Sequence, residues 1–461
     1  MTAGQRLPSV RVMAARLGIA RNTVIQAYEQ LLAEGCVESR HGSGHFVASI
    51  LPSQTSGRKK PRDGLRSEQG TKPARLNQDF AFVHPQFRTA IPVRPFRTNI
   101  PSLDPEDLRP WLRVHMQVLR DAARYRSHAR LMGETDAIGE LQLRQAIVEH
   151  ISLSRGVRCS PDQVIVTAGA LHAMDLLLRV IAHPGAQAWI EDPCFLGSLS
   201  VLRGAGLEPV PVFVDSEGLN VAEGRRLAPN ASLAVICPSK QYPLGSIMSL
   251  QRRLALIKWA SQTGAWIIED DYDSEYRYWG KPIPSLQGLD SGGNVIYVGT
   301  FSKVLFPALR VGFIVAPSEL VDPLIAARAL SGRHGNAIEQ RVLARFISEG
   351  HLGRHIRRMR RLYKARMEAL LHHAKRELAG MLQVEAADSG LQTIAWLNDG
   401  VDDRSVYKAG LREGLELSHL SRYCIDHKMP PGLLLGFGAF SEEEIAEAVL
   451  KMRRVLEQQP N

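Results

Sequence analysis

From about Leu76 onward, short apolar runs alternate with longer stretches in which apolar residues recur at helical spacing. This alternation is typical of an α/β domain with a mostly parallel sheet, because each strand is followed by a helix that covers it. Helical patterns occupy residues 170–181 and 250–261, among others. The predicted strands are 163–167, 188–191, 209–214, 233–237, 265–268, 295–298 and 312–315.

The first fifty residues have a different pattern. Residues 10–17 form a short helical pattern that Gly18 ends, and residues 21–34 form a second one with an apolar face. This spacing predicts a helix-turn-helix. Residues 36–40 and 45–47 flank a tight turn, which predicts a β-hairpin wing. The apolar face of the second helix consists of Val24, Tyr28, Leu31 and Leu32.

Residues 51–75 have almost no apolar periodicity and are rich in Ser, Gly, Pro and basic residues, which predicts a flexible basic linker. The expected domains are therefore a winged helix-turn-helix at 1–50 and an α/β domain at 76–461, whose part from about residue 325 forms a smaller α+β subdomain. The basic helical region at 350–378 favours a solvated helix face over a second DNA site.

The composition is that of an ordinary globular chain. It has 461 residues, of which 44% are hydrophobic and 23% are charged. No apolar run is long enough to span a bilayer, and residues 1–10 lack the apolar stretch of a secretory signal, so we expect a cytoplasmic protein without a membrane partner. The five cysteines are scattered without a paired metal-binding spacing, and we expect neither a disulfide nor a zinc site.

The net charge of +10 is concentrated at the amino end. Residues 1–75 contain 12 Lys and Arg against 5 Asp and Glu, which accounts for most of the excess. Cationic side chains favour nucleic acid because they displace counterions from phosphates. A basic, solvated linker explains the same charge equally well, so charge alone leaves both interpretations open.

The most informative motif follows the predicted strand at 295–298. It reads Gly-Thr-Phe-Ser-Lys up to Lys303, and Arg310 stands seven residues later. A lysine just beyond the carboxyl end of a strand lies where α/β folds bind ligands. Such a lysine can hold an aldehyde as an imine, while Thr300, Ser302 and Arg310 bind a phosphate.

A second motif follows the preceding strand, where carboxylates come directly after an apolar run. Pyridoxal phosphate acts as an electron sink only while its ring nitrogen is protonated, and a buried carboxylate beside that nitrogen keeps the proton there. Asp270 fits this role, and Tyr272 can hydrogen-bond the phenolic oxygen of the ring. A metal site is disfavoured, because no histidine is near and the lysine motif would stay unexplained; an exposed acidic loop is the other alternative.

Three further segments agree with a flat, phosphorylated ligand. Gly169 and Ala170 stand between a strand and a helix, where backbone N–H groups and the helix amino terminus favour a phosphate. Phe195 follows another strand and can stack on a flat ring, although a phenylalanine there is more often a core residue. Tyr242 lies in a turn at a third strand end, in reach of the phenolic oxygen of the ring.

The amino-terminal residues resemble the GntR-type winged helix. The matching segments are Leu-Pro-Ser at 7–9, Ala-Arg-Leu-Gly at 15–18, Arg-Asn-Thr-Val at 21–24, residues 27–35 and Gly-Ser-Gly-His-Phe at 42–46. The resemblance implies that Arg21, Asn22 and Thr23 touch DNA and that Arg40 in the wing approaches the backbone or minor groove. In that family a further helix precedes Leu-Pro-Ser, so we expect this chain to lack the first helix.

The large domain resembles the fold-type I, class I aminotransferases. Together with the winged helix and linker, the domain order is similar to the MocR/GabR subfamily of GntR-type regulators. The resemblance implies a pyridoxal 5'-phosphate cofactor and a homodimer. It assigns Lys303 to the imine and Arg422 to a substrate carboxylate. The other implied cofactor residues are Asp270, Tyr272, Tyr242, Phe195, Gly169, Ala170, Thr300, Ser302 and Arg310.

Some positions depart from the family pattern. Glu134 replaces a tyrosine that reaches the cofactor phosphate of the neighbouring subunit, and a carboxylate near a phosphate repels it. Ala168 and Leu171 replace a serine and a glutamine, and Lys240 replaces a histidine. The residues expected to hold the imine remain, whereas tight cofactor binding and turnover are in question.

The sequence therefore predicts a DNA-binding transcriptional regulator whose aminotransferase-like domain senses pyridoxal phosphate or an amino compound that reacts with it. A working aminotransferase with a vestigial DNA-binding segment is the main alternative. A third hypothesis is a DNA-binding protein whose large domain only dimerises. The sequence names neither the effector nor the operator.

Overall fold

The computed structural model describes residues 2–40, 42–48, 83, 87, 92–124, 132–280 and 283–459. The chain forms two compact units, which divide between Leu76 and Asn77. The linker predicted at 51–75 lies outside the described residues. None of the helices in the described ranges combines the length and the apolar character needed to cross a bilayer.

The amino-terminal unit is a helix-turn-helix followed by a hairpin. Helix α1 spans Val10–Leu17 and α2 spans Arg21–Ala33, and β1 (Val37–Arg40) pairs antiparallel with β2 (Gly44–Val47). The Ser9 hydroxyl accepts a hydrogen bond from the Val12 N–H and so begins α1. Gly18 ends α1 with a φ of 68°, a conformation that glycine adopts without strain.

A small apolar core holds this unit together. The predicted apolar face of α2 is confirmed, since Val24 and Tyr28 are buried and Leu31 and Leu32 pack against them. The Tyr28 hydroxyl donates a 2.9 Å hydrogen bond to the Pro8 carbonyl and so ties α2 to the preceding segment. The buried members of the core are Leu7, Ala14, Val24, Tyr28, Val37 and Val47.

An eight-stranded sheet forms the centre of the larger unit, and each of the seven predicted strands is present in it. The strands are β3 (Val164–Thr167), β4 (Gln187–Asp192), β5 (Glu208–Asp215), β6 (Gly218–Leu219), β7 (Leu233–Ile236), β8 (Trp266–Asp271), β9 (Val295–Thr300) and β10 (Gly312–Val315). Their order is β3-β10-β9-β8-β7-β4-β5-β6. Neighbours from β9 to β5 are parallel, whereas β10 and β6 run antiparallel to their partners, so the expectation of a mostly parallel sheet is confirmed.

Four strands, β4, β5, β8 and β9, are longer than the sequence predicts, and the extension of β8 and β9 changes the description of the site. The parallel ladder between β8 and β9 continues through the pairs Asp270 with Val298 and Asp271 with Gly299. Asp270 therefore belongs to the last paired residues of β8 rather than to a loop after it. Backbone pairing extends the strands here although the carboxylates interrupt the apolar run.

Helices pack on both faces of this sheet and around a second, smaller one. The helices of the larger unit within the described ranges are α3 (Pro105–Arg124), α4 (Leu141–Arg155), α5 (Ala170–Ile181), α6 (Leu196–Gly204), α7 (Val221–Leu227), α8 (Leu250–Thr263), α9 (Leu286–Leu289), α10 (Ser318–Leu330), α11 (Ala337–Ser348), α12 (His351–Glu377), α13 (Asp403–Arg412) and α14 (Glu442–Glu457).

The smaller sheet is antiparallel in the order β11-β12-β14-β13. Phe96 forms a bridge to Gly436 of this sheet, and Trp111 of α3 lies in the same apolar core as α12 and α14. Residues far apart in sequence thus share one core. The boundary expected near residue 325 stays a prediction. The four strands are β11 (Leu382–Val384), β12 (Gln392–Leu397), β13 (Ser418–His419) and β14 (Gly432–Gly436).

The arginines of α12 divide into two groups. Arg354, Arg357 and Arg361 are exposed, as a solvated helix face requires. Arg358 instead pairs with Asp107 at 2.9 Å, and Arg360 donates a hydrogen bond to a backbone carbonyl. The helix face is therefore partly solvated and partly used to hold neighbouring segments.

Candidate functional site

A cavity of about 230 Å³ opens at the carboxyl ends of β8 and β9. Ligands of α/β proteins bind at this edge of a sheet. Ten predicted cofactor residues, which come from distant parts of the sequence, line it together. Those ten residues are Gly169, Ala170, Phe195, Tyr242, Asp270, Tyr272, Thr300, Ser302, Lys303 and Arg310.

Lys303 contributes the amine of this cavity. Its Nζ donates a 2.9 Å hydrogen bond to the carbonyl of Asn99, which brings a distant segment to the site. The pKa of Lys303 is lowered to about 8, mainly because the amine is buried; Arg97 and Arg310 contribute to the decrease, whereas Asp273 and Asp270 oppose it. A pKa in this range leaves part of the amine neutral near physiological pH, which is the nucleophilic form.

Asp270 faces the same cavity from the end of β8. Its side chain is only 5% exposed, and no described residue hydrogen-bonds its Oδ1. The Cys237 thiol is 4.0 Å from its Oδ2. The pKa of Asp270 is raised to about 7, mainly because the carboxyl group is buried and secondly because Asp271 is near, while Lys303 opposes the increase. A cationic N–H group beside Asp270 would favour the charged carboxylate.

Two hydroxyls in the cavity also lack partners within the described ranges. The hydroxyls of Tyr272 and Ser302 are both buried without a hydrogen bond. Burial raises the pKa of Tyr272 well above its usual value, so this phenol remains protonated. Unpaired buried polar groups are costly in a folded protein, and they are common where a ligand normally supplies the partner.

One end of the cavity is suited to an anion. Gly169 precedes the first residue of α5, and its φ of 98° exposes the helix N-terminus to the cavity. A Cβ on Gly169 would lie 3.4 Å from the Arg310 guanidinium, and a Cβ on Gly312 would approach the Gly169 Cα to 2.8 Å. The Ser302 N–H donates to the Thr300 hydroxyl at 3.2 Å. Small residues therefore leave room for hydroxyls, backbone N–H groups and a cation to converge.

Aromatic rings form the opposite wall. The Tyr242 ring lies edge-on to Phe195, Tyr272 and Tyr423, with ring centroids 5.6, 6.0 and 5.3 Å away. A Cβ on Gly197 would overlap the Phe195 ring, so glycine is needed for the position of that ring. The Tyr242 hydroxyl donates to the Tyr423 hydroxyl at 3.1 Å. The wall is therefore a packed aromatic cluster in which the hydroxyls of Tyr242 and Tyr423 are bonded to each other, while that of Tyr272 is left for another partner.

Arg422 lies beside this wall and does not line the cavity. Its guanidinium is 5.5 Å from the ring centroid of Tyr423, whose hydroxyl bonds Tyr242. The structure thus brings Arg422 close to the cavity through the aromatic cluster. Glu134, the departure expected to repel a phosphate, pairs with Arg333 at 2.6 Å, and both side chains are exposed.

Sequence reasoning missed several contributors. Phe87, Asn99 and Cys237 line the cavity although no motif marks them. Lys240, noted only as a substituted position, is buried and holds Asp273 at 3.3 Å and the Ser389 carbonyl at 2.6 Å. The carboxylates clustered after Trp266 suggest that one of them has a basic partner. Nothing in the sequence indicates that this partner is Lys240.

The predicted DNA-contacting residues lie in the amino-terminal unit. Arg21, Asn22 and Thr23 are exposed on the first turn of α2, and Arg40 is exposed at the end of β1. The Arg40 guanidinium lies 4.6 Å from the ring centroid of Phe46. The structure therefore leaves all four residues exposed on this unit. Within the described ranges, no cluster of three or more His, Cys, Asp or Glu side chains is arranged to hold a metal ion.

Two family models match the chain. Residues 109–413 match the aminotransferases of class I and II, and residues 1–47 match the bacterial regulatory proteins of the gntR family. Among curated relatives, the probable rhizopine catabolism regulatory protein MocR of Rhizobium meliloti is 38% identical over 98% of this chain and 90% of its own length. The pyridoxine biosynthesis transcriptional regulator PdxR of Corynebacterium glutamicum is 30% identical over 97% of this chain and 92% of its own.

Solved structures share the fold of the larger unit. Kynurenine aminotransferase of Pyrococcus horikoshii has a TM-score of 0.71 at 23% identity, over 79% of this chain and 90% of its own. The α-aminoadipate aminotransferase LysN of Thermus thermophilus, solved with a phosphopyridoxyl-leucine compound, has a TM-score of 0.70 at 25% identity, over 78% and 91%.

Proposed function

This chain belongs to the GntR-type transcriptional regulators that carry an aminotransferase-like domain, and on that premise we propose that pyridoxal phosphate in the described cavity controls DNA binding. The gntR family domain supports DNA as the partner of the amino-terminal unit. The aminotransferase fold supports pyridoxal phosphate as the cofactor of the larger unit.

The observation that carries this proposal is the match between the unpaired groups of the cavity and the chemical groups of the cofactor. Asp270 Oδ1 is a buried acceptor for a protonated ring nitrogen, and the Tyr272 hydroxyl is a buried donor for the phenolic oxygen. Lys303 Nζ is the amine available to the aldehyde. The chemistry of the residues present therefore fits the groups of the cofactor.

The anion-binding end of the cavity supports the same assignment. Ser302 has a buried hydroxyl without a partner in the described structure, and Arg310 places a cation beside Gly169 at the start of α5. Thr300 adds a second hydroxyl. A phosphate there would receive hydrogen bonds from hydroxyls and backbone N–H groups and a charge-assisted contact from the arginine.

The contribution of the protein to the chemistry is to control where protons are held. Pyridoxal phosphate, when bound, supplies an electron sink for amino compounds. Asp270 would hold a proton on the ring nitrogen of the bound cofactor, because a buried carboxylate stabilises a neighbouring cation. Lys303, whose pKa burial lowers to about 8, offers a neutral amine and can accept or return a proton. Phe195 and the aromatic wall would exclude water from a flat ring bound beside them.

We propose that the effector is pyridoxal phosphate itself or an amino compound that displaces Lys303 from it. Arg422 lies near enough to the aromatic wall to bind the carboxylate of an amino acid after a small side-chain movement. An effector shifts DNA affinity only by binding one conformation more tightly than another. We further propose that the protein acts as a homodimer, since helix-turn-helix proteins that dimerise bind two half-sites on DNA.

A spectroscopic and DNA-binding experiment on the same sample tests the proposal. The purified protein is loaded with pyridoxal phosphate, and its visible absorbance is recorded while amino compounds are added one at a time. Affinity is measured in parallel for a DNA site selected from a random pool. We expect at least one compound to change the absorbance and the DNA affinity over the same concentration range.

The alternatives give different results. An active aminotransferase would convert an amino acid and a keto acid catalytically and would show no sequence-specific DNA binding. A large unit that only dimerises would bind DNA specifically but would give no visible absorbance with pyridoxal phosphate. Either result contradicts the proposal.

A further inference from the structure

A second cavity, of about 460 Å³, lies apart from the cofactor cavity. One side of it comes from the end of β5 and the loop at 240–246, and the other comes from residues 385–396 of the smaller sheet. Clefts between packed elements of this kind are where proteins hold small ligands. The proposed function gives this cavity no role.

Two polar atoms from opposite sides of the cavity are unsatisfied. Gln392, at the start of β12, is 3% exposed, and its Oε1 has no hydrogen-bond partner among the described residues. The hydroxyl of Ser246, in the loop on the other side, is buried and likewise without a partner there. Both residues line the cavity. A ligand with a hydrogen-bond donor would supply the partner that the amide oxygen of Gln392 lacks.

The charges around the cavity are predominantly negative. Glu385 and Asp388 line it, and both side chains are exposed. Asp215 also lines it but is neutralised by Arg252 at 2.7 Å. Lys240 is the basic lining residue, and its ammonium is already held by Asp273 and the Ser389 carbonyl. Two carboxylates thus remain available to a cation.

Aromatic and aliphatic side chains complete the lining. Trp396 donates its Nε1 proton to Glu385 at 2.7 Å, which fixes the indole beside a carboxylate. Phe213, Ile394 and Met429 line the same cavity. An indole next to carboxylates is favourable for an organic cation, because the ring face attracts positive charge while its surface covers alkyl groups.

We propose that this cavity is a binding site for a small organic ammonium ion that also carries a hydroxyl, separate from the cofactor cavity. The ammonium group would lie near Trp396, Glu385 and Asp388. The hydroxyl would donate to Gln392 Oε1. The ligand would contact both the loop at 240–246 and the smaller sheet. The proposal goes beyond the proposed function and does not depend on the cofactor.

Choline is the probe that tests this site. It has a quaternary ammonium and a hydroxyl, but it has no N–H and cannot react with the aldehyde of pyridoxal phosphate. The uncharged isostere 3,3-dimethylbutan-1-ol has the same shape and is the matched ligand. Calorimetric titration of the loaded full-length chain should give choline at least about tenfold tighter binding than the alcohol.

Variants of the lining residues test whether choline binds in this cavity. The double change Glu385→Gln with Asp388→Asn lies at exposed positions and should weaken choline binding about threefold to tenfold. Gln392→Leu should weaken it further by removing the acceptor. Glu208→Gln, an exposed carboxylate at the start of β5, is the control and should leave binding unchanged.

Equal binding of choline and the alcohol, or equal choline binding by the control and the double variant, would overturn the proposal. Absence of choline binding in a chain that still binds pyridoxal phosphate would do the same. The Lys303→Ala variant separates the two sites: it should retain choline binding even if the proposed cofactor function fails.

Discussion

The amino-terminal unit and the cofactor cavity place their functional side chains in opposite environments. Arg21, Asn22 and Thr23 are exposed on a small unit, where water and salt surround them. Asp270 and Lys303 lie in a cavity where burial moves both pKa values toward neutrality. DNA recognition requires accessible side chains with ordinary chemistry, whereas cofactor chemistry requires side chains whose chemistry burial has changed.

This difference in environment predicts that the DNA-binding residues and the cavity residues respond to different changes in solution conditions. Groups that act on the surface respond mainly to salt, because counterions screen them. Groups that act in a low-dielectric cavity respond mainly to pH and to the loss of a partner, because an unpaired buried charge is costly. The following four experiments test the contrast.

The largest expected effect is that of Lys303→Ala. Removal of the amine should abolish the covalent, borohydride-reducible adduct with pyridoxal phosphate and its visible absorbance, while circular dichroism is unchanged and the dependence of DNA affinity on the cofactor is lost. Lys258→Ala, at an exposed position on α8, is the control and should keep the adduct. An unchanged adduct in Lys303→Ala would exclude Lys303 as the attachment site.

The second expected effect is on pH dependence in the cofactor-free protein. Lys303 has a pKa of about 8 when folded, whereas an unfolded lysine has about 10.4. Between these values the unfolded chain binds more protons, so the free energy of unfolding should rise with pH, by about 3 kcal/mol in total. Below about pH 8 both states are protonated and the full cost of the buried ammonium remains.

Thermal unfolding of wild type and Lys303→Met from about pH 7 to about pH 10 measures this effect. The wild type should gain stability relative to the methionine variant as pH rises. Parallel curves for the two proteins would show that Lys303 is not significantly desolvated in the folded state.

The third expected effect is that of Arg310→Ala on cofactor retention. The loss of one charge-assisted phosphate contact should weaken pyridoxal phosphate binding by about 1.5–3 kcal/mol, while Lys303 still forms the adduct at high cofactor concentration. Equilibrium dialysis measures the dissociation constant, and Arg412→Ala, at an exposed position on α13, serves as the control. Equal dissociation constants for the two variants would remove Arg310 from the phosphate site.

The smallest expected effect is that of Arg21→Ala on DNA. If Arg21 reads a base, specific affinity should fall by about 1–3 kcal/mol, while binding to unrelated DNA changes little. Titrations at several salt concentrations with selected and unrelated DNA provide the measurement and its internal control. An equal loss on both DNAs would assign Arg21 to a phosphate, and unchanged binding would place it outside the interface.

Much of the cofactor cavity was predictable because its groups follow strands. The carboxyl ends of neighbouring parallel strands meet at one edge, so Asp270 after one apolar run and Lys303 after the next were expected to converge. The helix-turn-helix was predictable for a similar reason, since its core repeats at helical spacing within a short segment. Local pattern and strand order were sufficient for both.

Other features depended on contacts between distant segments. Asn99 reaches Lys303 from 204 positions earlier, and Lys240 joins Asp273 to the carbonyl of Ser389. Neither contact has a sequence signature. Glu134, which the sequence suggested would repel the cofactor phosphate of a neighbouring subunit, is exposed and pairs with Arg333 of its own chain, and its effect on that phosphate stays a prediction.

The sequence by itself therefore determined the types of secondary structure, which strands carry functional residues at their carboxyl ends, and which reactive groups are present. These follow from residue periodicity and from side-chain chemistry, which are local properties. Only the tertiary structure decided which polar atoms are buried without partners, which carboxylates are neutralised and how far the pKa values of Lys303 and Asp270 move. Burial and electrostatic energy depend on every segment packed around a group, and this packing is not encoded in any one motif.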